Sequence, residues 1–171
     1  MSSRIEGRVG GIIGGYSIDC TATADSISGR IGGGIFGGDV NLTIDPAVGT
    51  ISGRFGGAIL GRSLIAQLSD NYAINGRIGG EIDGNDIYLH GNDRIDGRCG
   101  GGVLGFDADL EASGGRIIGR LGGGLFGMSV DISIAECHPP VISALIAVIT
   151  YYYYRVTHRN NGGSSSGRSG D

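Results

Sequence analysis

An all-β fold of tandem repeats, each about 22 residues long, followed by an apolar C-terminal helix, is predicted by three features of this sequence. Glycine supplies 37 of 171 residues, about three times its usual share. The pentad Gly-Arg-apolar-Gly-Gly recurs six times, beginning at Gly7, Gly29, Gly53, Gly76, Gly97 and Gly119, at intervals of 21 to 24 residues. Finally, the glycine pattern stops at Pro139-Pro140, where the run VISALIAVIT begins.

Each repeat is numbered from its first pentad glycine as position 0. Ile stands at −2 in all six copies, an apolar residue or Cys99 at +2, and Gly at +4 and +8. At +6 stand Ile13, Ile35, Ile59, Ile82, Val103 and Leu125. Positions −2 to +8 therefore alternate bulky and bare on one face, the period of two that marks a half-buried strand. After +8 the parity slips: Val40, Leu42 and Ile44, or Val130, Ile132 and Ile134, take the inward places of a second strand. A corner is thus expected near +8 to +10, with glycine supplying positive φ. A second, variable turn follows at Asp45-Pro46, Ser69-Asp70-Asn71, Asn92-Asp93 or Ser113-Gly114-Gly115, all turn-forming residues.

Two architectures fit. The leading expectation is a β-solenoid, in which each repeat forms one coil and like residues stack. The Gly at +4 is then expected to face a closely approaching strand. The alternative is an antiparallel hairpin meander or barrel of twelve strands, which keeps the six arginines at +1 apart. Against the barrel stands its wide bore, which Ile and Gly alone do not fill. Against the solenoid stands a stacked like-charge row. In architecture the glycine-punctuated alternation resembles bactofilin-type solenoids and glycine-rich adhesin repeats, and the period is similar to that of MORN hairpin repeats. The Trp and Tyr positions that mark MORN repeats are missing.

The chain divides into a six-repeat β domain (1–135), an apolar segment (136–156) and a Gly/Ser-rich tail (157–171) that reads as flexible. Proline suits a first helical turn, so Val141 to Val156 is expected to be helical. Val141, Ile142, Leu145, Ile146, Val148 and Ile149, then Tyr151, Tyr152, Tyr153 and Tyr154 and the basic residues after them, imitate an apolar span with an aromatic belt and positive flank. The segment is read as a membrane anchor or as a cap on the last repeat. The segment is expected to serve location or assembly and not folding, so a chain stopped at Ala135 is expected to keep its β structure; unfolding would mark the segment as a cap belonging to the core.

Composition excludes several functions. All 13 basic residues are Arg, so lysine nucleophiles and P-loop lysines are absent. Three prolines and a 22-residue period exclude collagen. A net charge of −4 does not suggest a nucleic-acid binder, and no nucleic-acid partner is expected. Met1 to Gly10 lacks the apolar core of a signal peptide. Cys20, Cys99 and Cys137 form no Cys-x-x-Cys pair, so no metal site or disulfide framework is expected.

Three literal Gly-x-Gly-x-x-Gly stretches (Gly32 to Gly37, Gly100 to Gly105, Gly122 to Gly127) recur with the repeat and lack the helix that a dinucleotide site needs. Gly84-Asn85-Asp86 and Gly91-Asn92-Asp93 resemble calcium-binding turns but fall in one copy and read as turn chemistry. No cofactor, catalytic or metal-ligating residue is assigned, and no enzyme is expected. The outward feature held in every copy is Arg8, Arg30, Arg54, Arg77, Arg98 and Arg120. These either engage an acidic partner bidentately or pair with neighbouring carboxylates.

The expected function is a non-enzymatic structural protein that assembles with itself or with other structural proteins, as a filament subunit or a minor capsid or envelope component, through the open edges of its end repeats. The rival expectation is a membrane-anchored binding module whose arginine stripe engages an acidic ligand. Nothing in the sequence fixes the localisation.

Overall fold

A computed structural model describes residues 1–11, 14–79, 82–102 and 105–161. The six repeats form six hairpins: β1 (Ser3–Gly10) with β2 (Gly15–Ala22), β3 (Ser26–Gly32) with β4 (Gly37–Asp45), β5 (Thr50–Gly56) with β6 (Arg62–Leu68), β7 (Ala73–Ile78) with β8 (Asn85–His90), β9 (Arg94–Cys99) with β10 (Phe106–Ser113), and β11 (Arg116–Leu121) with β12 (Met128–Ser133). Every strand pairs antiparallel with its sequence neighbours, and β12 pairs with β1, so the sheet is a closed twelve-stranded barrel. The solenoid expectation is therefore corrected to its alternative. Antiparallel order inserts a strand between successive arginine-bearing strands, which removes the like-charge row.

The objection to a barrel, its empty bore, is met by the C-terminal segment. Helix α1 (Pro140–Asn161) has 22 residues, about 33 Å at 1.5 Å per residue, and lies inside the barrel. Val141, Ile142, Leu145, Ile146, Val148 and Ile149 are buried among the inward side chains of the strands. No helix among the described residues is long and apolar enough to cross a membrane. The membrane-anchor expectation is thus corrected: these residues are the axis of the core. Nor is the segment a cap on an exposed last repeat, because the closed ladder leaves none exposed. The helix also runs beyond the expected Val156 into the segment read as a tail; residues 162–171 lie outside the described residues.

The polarity of α1 follows from its contacts. At its start Ala135 N donates to Ser143 Oγ (3.0 Å), and His138 Nε2 donates to the carbonyl of Thr23 (2.6 Å), in the turn between β2 and β3. At its other end the tyrosines reach the turns that join the two strands within each hairpin. The rim holding those six turns is called the upper rim, and the one where α1 enters the lower rim. Closure at β1–β12 uses four Cα pairs, extended at the lower rim by the Ser133 hydroxyl, which accepts from Glu6 N (2.8 Å) and donates to Arg4 O (3.0 Å).

The alternation from −2 to +2 is observed: Ile5 and Val9 are buried with Gly7 between them, and the other copies follow. Each position-0 glycine pairs on both sides with inward residues of the neighbouring strands, as Gly53 does with Leu42 and Leu64. A Cβ on any of the six would collide with a backbone carbonyl oxygen of the adjacent strand, that of Asn41 in the case of Gly53, which also has φ +153. These glycines are mid-strand bends of the kind a barrel needs. The alternation does not continue to +8. Gly at +3 has positive φ in five copies, 97° at Gly56 for example, so the chain turns there and the described residues from +4 to +7 lie in the hairpin loop.

The +4 glycines therefore sit in the turns, and the expected close approach belongs to position 0. Gly53→Ala is predicted to cost about 1–3 kcal/mol for the strained backbone and to lower Tm by several degrees. Gly101→Val, at a turn where a Cβ meets nothing within 4 Å, is predicted to stay within about 0.5 kcal/mol. Thermal melts of the two variants check both.

Candidate functional site

The upper rim is where the repeats present side chains alike. With the turn beginning at +3, position +6 falls at the loop tip, outside the barrel. Ile35, Ile59, Ile82 and Leu125 are 89%, 91%, 94% and 98% exposed; Ile13 and Val103 lie outside the described residues. The expectation that +6 is inward is corrected. In the four described copies these bulky aliphatic tips stand free at one end of the molecule, although burial inside this chain gives no reason for them.

Beneath the tips lies the arginine row. Position +1 is the last outward place before the turn, so each side chain reaches up beside its loop. Arg98 Nη2 donates to the carbonyls of Gly101 (2.9 Å) and Gly102 (3.3 Å), and Arg120 Nη2 to that of Gly124 (3.3 Å). Bare glycines give the guanidinium room: a Cβ on Gly10 would lie 2.8 Å from Arg8 Nε, and one on Gly127 2.8 Å from Arg120 Nη2.

The residue opposite each arginine on the second strand of its hairpin is position +10, and it is of two kinds. Arg30, Arg77 and Arg98 face Asp39, Asp86 and Asp107 and pair with them at 3.6, 2.7 and 2.6 Å. Arg8, Arg54 and Arg120 face Ser17, Ser63 and Ser129. Among the described residues no carboxylate lies within ion-pair distance of these three. The acids beside them on the other flank are engaged elsewhere, Asp131 by Arg116 (2.5 Å) and Asp109 by Arg94 (3.0 Å). The two expectations for the row thus divide it: three arginines are paired, three are not.

The helix end completes the rim. Successive helical residues point about 100° apart, so four consecutive tyrosines radiate to four sides of the barrel mouth. Tyr151 packs edge-on against Phe106 with ring centroids 4.6 Å apart, and Tyr152 accepts from Asn85 Nδ2 (3.0 Å). Tyr153 accepts from Gly57 N and donates to Gly37 O (both 3.2 Å), and Tyr154 packs edge-on against Tyr16 at 5.1 Å. Burial pushes the Tyr16 and Tyr151 phenols up from their ordinary value. Arg155 lies over the Phe106 ring (5.5 Å), adding positive charge to the mouth. The lower rim is opposite in character, with exposed Asp25, Asp45, Asp70, Asp93 and Glu136 in its connections.

A cleft of about 1010 Å³ opens in the upper rim between the first and last hairpins, lined by Arg8, Arg120, Ser129, Leu125, Met128 and Tyr154 among others. The other motifs are not gathered into a site. The Gly-x-Gly-x-x-Gly stretches are upper-rim turns, and the two Gly-Asn-Asp turns sit at opposite ends of β8. His90 lies on the outer face of β8, His138 at the lower rim, and His158 stacks on Tyr154 at the upper rim (3.8 Å). No protein-family model matches this chain, and no curated protein or solved structure is found similar to it.

Cys20 and Cys99 are buried and unbonded, and burial pushes both thiols up to about 12, whereas Cys137 is exposed. At pH 8 one thiol per chain is predicted to react promptly with an aromatic disulfide reagent, and three after denaturation. Three prompt thiols in the native protein would show that the core is open.

Proposed function

We propose that the protein is a non-enzymatic binding module whose upper rim docks on an anionic membrane surface. The observation that carries this reading is the set of four exposed aliphatic tips, Ile35, Ile59, Ile82 and Leu125, standing above an arginine row. Apolar side chains with arginines just beneath them suit the boundary between acyl chains and negatively charged head groups. Each juxtamembrane cation there contributes about 1 kcal/mol. The charge asymmetry of the molecule supports the same orientation, because the acidic lower rim is repelled by the surface that attracts the upper one. Anchoring is then peripheral, through loop tips, and needs no spanning helix.

Assembly through open strand edges has no support in a closed ladder, since closure removes the edges. Assembly through the aliphatic tips, rim to rim, is the remaining form of the structural reading.

Co-sedimentation with vesicles separates the two. The full chain is expected to bind vesicles containing phosphatidylserine, to bind pure phosphatidylcholine weakly, and to lose binding as salt is raised. Ile59→Asp/Leu125→Asp is expected to abolish vesicle binding with an unchanged circular dichroism spectrum. A chain that ignores vesicles but dissociates from dimer or oligomer to monomer on the same substitutions would replace docking with assembly.

A further inference from the structure

The cleft between the first and last hairpins differs from the rest of the rim in bringing together two of the three arginines that lack a carboxylate. Arg8 on β1 and Arg120 on β11 flank β12, the strand between them, whose outward residue Ser129 pairs in register with Gly10 on one side and with Arg120 on the other. Asp131, two residues further down β12 and opposite Arg8, also lines the cleft, where its carboxylate is neutralised by Arg116 Nε (2.5 Å). The cleft therefore has two guanidinium groups, a hydroxyl, one carboxylate already paired with Arg116 and glycine-lined walls toward solvent. At its inner and upper sides it has Met128, Leu125 and Tyr154. Both guanidinium groups line the cleft, each beside its own hairpin turn, and arginine bonds a tetrahedral oxoanion bidentately. The chain marks this place by omission: at +10 in the three paired copies an Asp neutralises the arginine, and here that Asp is Ser129.

We propose that this cleft binds one phosphate-class oxoanion through Arg8 and Arg120 with the Ser129 hydroxyl, and that the anion is the head-group phosphate of an anionic phospholipid. The apolar side of the cleft, leading to the exposed Leu125 tip, gives the attached chains a continuous path toward the bilayer. The oxoanion site stands on the cleft alone; its supply by a lipid rests on the docking reading above.

The test uses the full chain labelled with nitrogen-15 and inorganic phosphate as the probe. Phosphate is expected to shift the signals of Gly10, Gly11, Ser129 and the Arg8 and Arg120 side chains saturably. The Ser129→Asp variant, which copies the Arg-Asp pairing the chain already uses in three hairpins and so should preserve the fold, is expected to weaken binding about ten- to a hundredfold, the equivalent of one or two charge-assisted contacts. The Arg8→Gln/Arg120→Gln variant should do the same. A control with the same loss of charge at the lower rim, Arg4→Gln/Arg94→Gln, should bind phosphate within about twofold of the parent, because its charges lie beyond a Debye length of the cleft. Absence of saturable shifts, shifts that follow other arginines, or full binding by Ser129→Asp would overturn the site.

A second arm adds phosphatidic acid vesicles in phosphatidylcholine. Inorganic phosphate that fills the cleft should compete with these vesicles, and Ser129→Asp should bind them more weakly. Phosphate binding without any vesicle binding would refute the docking reading and the lipid source while leaving the oxoanion site standing. Vesicle binding that phosphate and Ser129→Asp both leave unchanged would support docking and refute the lipid assignment.

Discussion

The filling of the barrel bore by the C-terminal helix is the interaction on which the rest of the structure depends. Twelve strands enclose more space than their own inward residues fill, because half of the inward places at mid-height are glycine. Six buried aliphatic side chains of α1, at about 1.5–3 kcal/mol each, supply on the order of 10 kcal/mol. That is comparable with the whole net stability of a typical domain, about 5–15 kcal/mol. The all-round apolar character of VISALIAVIT follows from the same placement, since a helix surrounded by a sheet has no polar side to show. The four tyrosines then fix its depth and rotation by bonding and packing against turns on different sides of the mouth.

Much of the fold was legible in the repeat. The strand positions from −2 to +2, the outward arginine, the second strand with inward Val40, Leu42 and Ile44, and the turns at Asp45 and Ser69 follow from parity and turn chemistry. What misled was the continuation of the alternation. A bulky residue at +6 flanked by glycines has the same period whether it ends a strand or crowns a turn, and periodicity by itself does not distinguish them. In five of the six copies the positive φ falls on glycine at +3 rather than at +8, and that physical difference leaves no mark in a pattern where both positions are glycine. The bore presented a similar problem. The empty bore counts against a barrel only if VISALIAVIT lies in a membrane or an end cap; the missing volume and the surplus apolar helix are two halves of one fact.

The candidate site was legible in part. The six arginines were visible, and so was the choice between pairing and exposure, but not its division. That division lies at +10, which is Ser at 17, 63 and 129 and Asp at 39, 86 and 107, while the pentad itself is held. Only the hairpin register reveals that +10 stands opposite +1. The aliphatic residues at +6 are plain in the sequence, where their period places them in the core. Their exposure, with acids gathered at the other rim, is what gives this otherwise pseudo-symmetric barrel a functional direction.

The most direct test of this account is to end the chain at Ala135 and measure its far-ultraviolet circular dichroism and thermal unfolding beside those of the full protein. If the helix fills the bore, the shortened chain loses its cooperative transition and native β spectrum, exposes apolar surface and aggregates, whereas the full chain melts in one step. A shortened chain that stays soluble and β-rich and melts cooperatively near the temperature of the full protein would contradict it, and the barrel would have to hold its shape without its axis.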